Sequence, residues 1–275
     1  MDTRLFHIFR NTPLGRETLL QSIYFSQIMG STPVIYIPES TRFLMYFDDD
    51  VVQIDLDASY LTSPESAQLR VSELLDDSGV EFRFFHPKHY TASTLPDIPT
   101  GFDFMCCPRS VSDLSSKIGL GYIGPRVRRI VKSACFPILI ASPVFKKWKR
   151  IVVFFGGSSN AVKALKLGIR IQKASGMPME VFTHAENKRP ADYQAVIEKE
   201  GLIEEMDRPT INRRFFSKGK FEDCLYDVPH DALVVLGAYG HSLLKNLIFG
   251  SKMETIQSTV MNNLLIVGPN YCAPL

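Results

Sequence analysis

The chain has 275 residues, of which 45% are hydrophobic and 22% are charged, a composition typical of globular proteins with a buried core. It excludes a disordered or low-complexity chain, and the length suits two domains of about 100–150 residues. Because 31 Lys and Arg residues nearly balance 29 Asp and Glu residues, no strong field points to nucleic acid as a partner.

The apolar runs are far shorter than the ~20 residues of a membrane helix, and the amino terminus lacks the pattern of a signal peptide. The five cysteines have no zinc-type spacing, and Cys106 and Cys107 lie in the apolar run FDFMCC. Such usage is typical of reduced thiols. We therefore expect a cytoplasmic protein that makes no contact with membranes.

The first half of the chain alternates strand-like apolar runs with helical patterns, the order of βαβ units. Thr12-Pro13 and Ser63-Pro64 predict helix starts, since proline suits the first helical position. The segment 39–62 interrupts this order and predicts a hairpin or flap over the sheet edge. Asp48 to Asp50 within it lack the glycine and glutamate of a calcium loop, which favours an exposed acidic loop. The predicted strands are 5–9, 33–37, 80–85, 102–106 and 137–141.

The second half repeats the order of the first. Its first strand ends in Gly156-Gly157-Ser158-Ser159-Asn160, a turn rich in N-cap residues, and a helix follows. A polar-faced helix is predicted over 191–206. The predicted strands are 151–155, 179–183, 212–216, 231–236 and 264–267.

Two copies of one five-stranded α/β unit explain both halves, and we place the domains at 1–144 and 149–275. The basic connector 143–150 between them and the basic helix face at Arg126, Arg128 and Arg129 are interpreted as solvated. Nucleic-acid contact is the less favoured alternative for both.

One stretch of the second half carries a glycine motif: LVVLGAYGHSLLKNLIFGSKMETIQSTVMNNLLIV, residues 233–267. Gly237 is followed after two residues by Gly240, and after nine more by Gly250-Ser251, all behind an apolar strand. Glycines allow backbone N–H groups to approach an anion closely, and a helix start at Ser251 favours negative charge. Ser251 to Glu254 also form a capping box, S-x-x-E, which needs no ligand.

The spacing resembles the G-2x-G-9x-G-[S/T] motif of universal stress proteins, strongly in the second half and weakly in the first. The resemblance implies two tandem, doubly wound, five-stranded parallel sheets of Rossmann-like type, with strand order 3-2-1-4-5. It also implies pairing through the final strands, as a pseudo-dimer within the chain, and homodimers are plausible. The implied ligand is ATP or another adenine nucleotide, and the implied binding residues are Gly156, Ser158, Val181, Gly237, Gly240, Gly250 and Ser251.

Both halves depart from the family pattern. Nucleotide-binding members have an aspartate at the end of the first strand, where this chain has Gly156. In the first half Leu114 and Pro125 stand where the motif has glycine and serine, and proline has no N–H donor for a phosphate. The first half is therefore expected to bind no nucleotide.

Two functions remain open at the level of sequence. The chain is either a stress-response protein that binds an adenine nucleotide in its second half, with a regulatory or chaperone-like role, or a dimeric interaction module with a vestigial site. No dedicated general base is evident, so we do not expect an enzyme. His241 follows Gly240 and is either a phosphate contact or a surface histidine. A metal site at His86 and His89 is disfavoured, because Pro87 breaks the helix that would align them.

Overall fold

The computed structural model describes residues 3–56, 63–76, 78–90, 94–111, 123–185, 188–238 and 261–272. Its elements follow the predicted alternation of strands and helices. In the first half they are β1 (Arg4–Ile8), α1 (Pro13–Met29), β2 (Thr32–Tyr36), β3 (Arg42–Phe47), β4 (Asp50–Asp55), α2 (Pro64–Asp76), β5 (Arg83–Phe85), β6 (Asp97–Pro99), β7 (Phe104–Cys107), α3 (Pro125–Ser133) and β8 (Ile138–Ile140). In the second half they are β9 (Arg150–Phe154), α4 (Ser159–Ser175), β10 (Met179–His184), α5 (Pro190–Lys199), α6 (Ile203–Met206), β11 (Ile211–Phe216), α7 (Phe221–Tyr226), β12 (Ala232–Gly237) and β13 (Asn263–Val267).

Ten of these strands form one sheet in the order β11-β10-β9-β12-β13-β8-β7-β1-β2-β5. Each half contributes five neighbouring strands in the order 3-2-1-4-5, and all pairs within a half are parallel. The halves meet where β13 pairs antiparallel with β8, with Leu265 opposite Leu139. The α/β fold class is therefore confirmed, and the expected contact between the two final strands is present. The domain boundaries at 1–144 and 149–275 stay a prediction.

Helices cover both faces of the sheet, which explains why its strands are continuous apolar runs. α1, α2, α4 and α5 pack on one face, and α3, α7 and the β3–β4 hairpin pack on the other. α4 lies especially close, because a Cβ at Gly168 would stand 2.5 Å from Val153 Cγ2. Its ends carry the expected signals: Ser158 caps the start, and Gly176 ends the helix at φ +68°.

The predicted hairpin of the insertion is confirmed, and it forms a separate three-stranded sheet, β4-β3-β6. The interpretation of its acidic residues as an exposed loop is wrong for Asp50. That carboxylate accepts hydrogen bonds from Arg129 (2.8 Å to Nε) and from the Ser133 hydroxyl (2.7 Å). Asp55 likewise pairs with Arg126 at 2.6 Å. The basic face of α3 is therefore not simply solvated, since it clamps the hairpin onto the main sheet.

Two further expectations need correction. The helix predicted over 191–206 is two helices, α5 and α6, because Gly201 adopts φ +67° and breaks the hydrogen-bond ladder. The connector 143–150 is not uniformly solvated: Trp148 is 1% exposed and packs edge-on against Tyr24, with ring centroids 4.7 Å apart. The two halves are thus tied by packing as well as by the sheet.

All five cysteines are free, and burial raises the pKa of Cys106 to about 12, so it is an inert core thiol. Within the residues that the structure covers, no group of three or more His, Cys, Asp or Glu side chains is placed to hold a metal ion. None of the helices in the described part of the chain has the length and apolarity needed to cross a membrane.

The Asp50 clamp predicts a specific loss of stability. Asp50→Asn should lower the free energy of unfolding at pH 7 by about 1–2 kcal/mol, because charge-assisted bonds from Arg129 and Ser133 are weakened. Those bonds hold the pKa of Asp50 below its usual value, so the stabilisation is complete above about pH 4 and is lost as the pH falls further. Urea unfolding at pH 7 and pH 3 measures the difference. Asp49→Asn, at an exposed neighbour, should change little at either pH.

Candidate functional site

The strand order creates a crevice at the carboxyl ends of β9 and β12. β9 lies between β10 and β12. The strand that follows β9 in sequence, β10, lies on one side of this pair, and the strand that follows β12, β13, lies on the other, which makes this the topological switch point where open α/β sheets bind ligands. Gly156, Ser158 and Gly237 all lie at this crevice. Gly240, Gly250 and Ser251, together with His241, lie outside the described residues.

The turn from β9 into α4 brings backbone close to the crevice. Gly157 adopts φ +71°, a conformation that favours glycine. Ser158 then caps α4, and its hydroxyl oxygen accepts the Ala161 N–H at 3.2 Å. The hydroxyl keeps its proton for donation to a ligand. The first turn of α4 also leaves backbone N–H groups without intrahelical partners, at the positive end of the helix dipole.

A cation that the sequence analysis missed lies beside this turn. The ammonium of Lys188 is 3.9 Å from the position that a Cβ of Gly157 would occupy. It also lies 5.7 Å from the centre of the Tyr193 ring. Lys188 precedes α5 in an exposed segment, and no local sequence signal connects it with a turn 31 positions earlier. The packing of Tyr193 in α5 against Phe155, the residue that follows β9, places the segment before α5 beside this turn.

Gly237 has a structural role that is independent of any ligand. A Cβ at this position would stand 2.3 Å from the carbonyl oxygen of Asn160 and 2.4 Å from its carbonyl carbon, both backbone atoms of α4. The buried Asn160 side chain donates to the Ala238 carbonyl, which ties the start of α4 to the end of β12. Close packing of helix on strand therefore suffices to explain this glycine, and its part in a phosphate cradle stays a prediction.

Val181 is placed differently from the other predicted site residues. It is 2% exposed and pairs with Val153 within the sheet, so it lies below the end of β10. Its side chain lines a groove of about 350 Å³ under α5, together with Phe155, Tyr193 and Phe215. The structure thus gathers three of the four described site residues at the crevice, and sets Val181 under the neighbouring helix.

In the first half the equivalent helix start differs in detail. Gly124 is the N-cap of α3 and offers no side chain for a cap hydrogen bond, and Pro125 occupies the first helical position. The proline fits a helix start well but removes one N–H group from it. The expected absence of a phosphate site in the first half stays a prediction.

The packing of Gly237 predicts a large effect of the smallest possible substitution. Gly237→Ala should lower the free energy of unfolding by about 2 kcal/mol or more, because the new methyl group meets backbone that cannot move independently. Chemical denaturation in urea measures this loss. Gly101→Ala is the matched control, since a Cβ there meets nothing within 4 Å. Equal stability of the two variants would contradict the packing role.

Comparison with known proteins supports the resemblance seen in the motif. No protein-family model matches the chain. A curated universal stress protein of Synechocystis sp. is 22% identical over 188 residues, which are 64% of this chain and 62% of that protein. The chain therefore matches less than two thirds of the length of this relative.

Solved structures share the fold over nearly the whole chain. A universal stress protein from Archaeoglobus fulgidus superposes with a TM-score of 0.63 at 13% identity, covering 96% of this chain and 98% of that one. A putative universal stress protein from Pseudomonas aeruginosa gives a TM-score of 0.60 at 10% identity, covering 98% and 94%. At such identities the structures show the fold alone. Taken together with the sequence match and the glycine motif, they make this chain similar to universal stress proteins in sequence and in fold.

Proposed function

We propose that this chain is a stress-response protein that binds ATP or a related adenine nucleotide in its second half, as a regulator or chaperone-like factor. The observation that carries the proposal is the crevice between β9 and β12, where a glycine turn, a helix start and the Lys188 ammonium converge. Each of these favours a negatively charged group. The motif glycines Gly240 and Gly250, with Ser251, would complete the cradle from the segment that follows β12.

The charges and donors of the crevice suit phosphate oxygens in particular. Phosphate binding needs several hydrogen-bond donors that point to one place. Backbone N–H groups at the start of α4 supply such donors, and no side chain loses conformational freedom when they bind. Ser158 adds a hydroxyl, and Lys188 adds a full positive charge. No acidic partner of Lys188 is found among the described residues, so its ammonium is available to an incoming anion.

The missing aspartate bears on affinity. With Gly156 in its place, no carboxylate at the end of β9 can accept hydrogen bonds from the ribose or base. Such a contact is worth ~1–3 kcal/mol, so binding should be weaker than in members that have the carboxylate. The phosphates should therefore supply a larger share of the affinity, which makes binding sensitive to salt.

The proposal assigns one nucleotide to each chain. In the first half Pro125 removes the N–H that Ser251 would supply, and Leu114 replaces a motif glycine. No dedicated general base is evident in the sequence around the glycine motif. Binding and regulation, rather than turnover, are thus the proposed role, and slow hydrolysis would be incidental.

Gly237 favours a second candidate function, a dimeric interaction module with a vestigial nucleotide site. Because helix packing alone accounts for Gly237, this one of the three motif glycines is not evidence for a ligand. In this alternative the protein acts through partners, including a second copy of the chain, and the crevice stays empty at physiological nucleotide concentrations.

Substitution of the last motif glycine separates the two functions. Gly250→Val should abolish calorimetric binding of ATP, because a side chain blocks the approach of phosphate to the backbone. Lys188→Gln should weaken binding about tenfold through loss of one charge. Gly124→Val makes the same change at the matching position of the first half and should leave affinity unchanged.

Two measurements complete this test. The protein is purified without added nucleotide and then denatured, and mass spectrometry should detect about one released adenine nucleotide per chain. If the purified protein is empty, it should bind ATP in a calorimetric titration. Thermal melts confirm that each variant is folded. An empty protein that fails to bind ATP at millimolar concentration, or a folded Gly250→Val variant with wild-type affinity, would overturn the nucleotide proposal and favour the interaction module.

A further inference from the structure

A second concave site lies in the first half, far along the sheet from the crevice. It is a cavity of about 370 Å³ at the amino ends of β1, β2 and β5, roofed by the segment that follows β6. Its lining includes Arg4, Thr32, Val34, Arg83, Gly101 and Phe102. Its volume lies in the usual range for small-ligand pockets. We call it the amino-end cleft.

The floor of the amino-end cleft is aromatic. Phe102 stacks on the buried Phe6, with ring centroids 4.6 Å apart and planes inclined by 16°. Phe85 meets Phe6 edge-on at 6.1 Å and Phe102 edge-on at 6.5 Å. Phe85 and Phe102 are only partly buried, so each presents part of its ring to the cleft. A planar ring placed there would contact aromatic side chains that already pack on one another.

Sheet register places two arginines over this floor. Arg4 is opposite Thr32, whereas Phe6 and Arg83 are both opposite Val34 from either side. Because side chains alternate between faces, Arg4 and Arg83 project from the same face as Phe6. They lie on either side of β2, two residues apart in register, and Thr32 lies on the strand between them. This spacing suits a small anionic group held from two sides.

Both guanidinium groups have donors to spare. Arg4 lies 5.5 Å above the Phe102 ring and gives one of its five N–H groups to the Gly101 carbonyl. Arg83 is exposed, and within the described part of the chain its side chain makes no ion pair or hydrogen bond. None of the described residues that line the cleft is acidic. The carboxylate of Asp103 is near but accepts the Arg4 backbone N–H at 2.8 Å.

We propose that the amino-end cleft binds a small aromatic carboxylate, with its ring against Phe85 and Phe102 and its carboxylate between Arg4 and Arg83. Arginine favours carboxylates because its planar fork donates two parallel hydrogen bonds. The apolar floor excludes a bare inorganic anion as the preferred ligand, and the two cations exclude a neutral hydrocarbon. The site is separate from the nucleotide crevice and does not depend on the proposed function.

Calorimetric titration of the full chain with 2-naphthoate tests the charge requirement. We expect saturable binding of one molecule per chain, weakened about tenfold in Arg83→Gln and in Arg4→Gln. The neutral analogue 2-naphthalenemethanol should bind at least tenfold more weakly than the carboxylate. Arg189→Gln, an exposed arginine of the second half, is the control and should leave affinity unchanged.

A cavity-filling variant tests the location without removing charge. A Cβ at Gly101 meets nothing within 4 Å, so Gly101→Leu should fold normally by thermal melt and abolish 2-naphthoate binding. ATP should not displace 2-naphthoate, and Gly250→Val should bind it as the wild type does. The proposal is overturned if 2-naphthoate does not bind at millimolar concentration, or if Arg83→Gln or Gly101→Leu binds it with wild-type affinity. It is also overturned if the alcohol binds as tightly as the carboxylate, or if ATP competes with 2-naphthoate.

Discussion

The antiparallel contact between β8 and β13 is the interaction on which the rest of the structure depends. Both strands are completely buried, and either one left at an edge would expose an apolar strand to aggregation. Polar bonds secure the junction on both sides: the Asn263 side chain accepts the Ser142 N–H at 2.8 Å, and the buried Arg109 donates to the Asn262 carbonyl at 3.1 Å. Because this is the one antiparallel pair among the described strands of the ten-stranded sheet, the carboxyl ends of the second half lie at the same end of the sheet as the amino ends of the first. The crevice and the amino-end cleft therefore open towards the same end of the molecule.

Local signals made most of the fold predictable, and long-range contacts account for the rest. Apolar runs and proline-marked helix starts gave the strands of both halves and the starts of α1 and α2. The three-residue strand β6 was missed, because it exists only through pairing with β3. The Asp50–Arg129 pair spans 79 positions, so neither residue indicates the other in sequence. The break at Gly201 was visible as a glycine, but helical periodicity on both sides concealed it.

The candidate site was less predictable than the fold, because one residue type serves two purposes. A glycine is needed wherever a Cβ would collide, whether with a bound phosphate or with another part of the backbone. Spacing in the sequence does not distinguish these cases, and at Gly237 the collision is with α4. Lys188 shows the opposite case, since no motif surrounds it in the sequence. The folded chain nevertheless brings its ammonium close to the turn at Gly157. Evidence for a ligand is therefore stronger from charges and donors that converge without a structural need than from glycines alone.

The helix starts of the two halves differ although the halves share one topology. At the start of α3, Pro125 favours the helix because its fixed φ angle suits the first helical position. The N–H group that proline lacks would have no partner within the helix at this position. The same loss removes a donor that a phosphate would use, so stability of the fold and affinity for an anion make opposite demands on this position. A half that does not need a phosphate donor here, as we expect of the first half, can accept proline without cost to folding. The first half also holds the hairpin and β6, and the segment after β6 roofs a cleft at the other end of its strands. The expected absence of a nucleotide site in the first half and the proposed cleft at the opposite end are compatible, because both can be accommodated on the same strands.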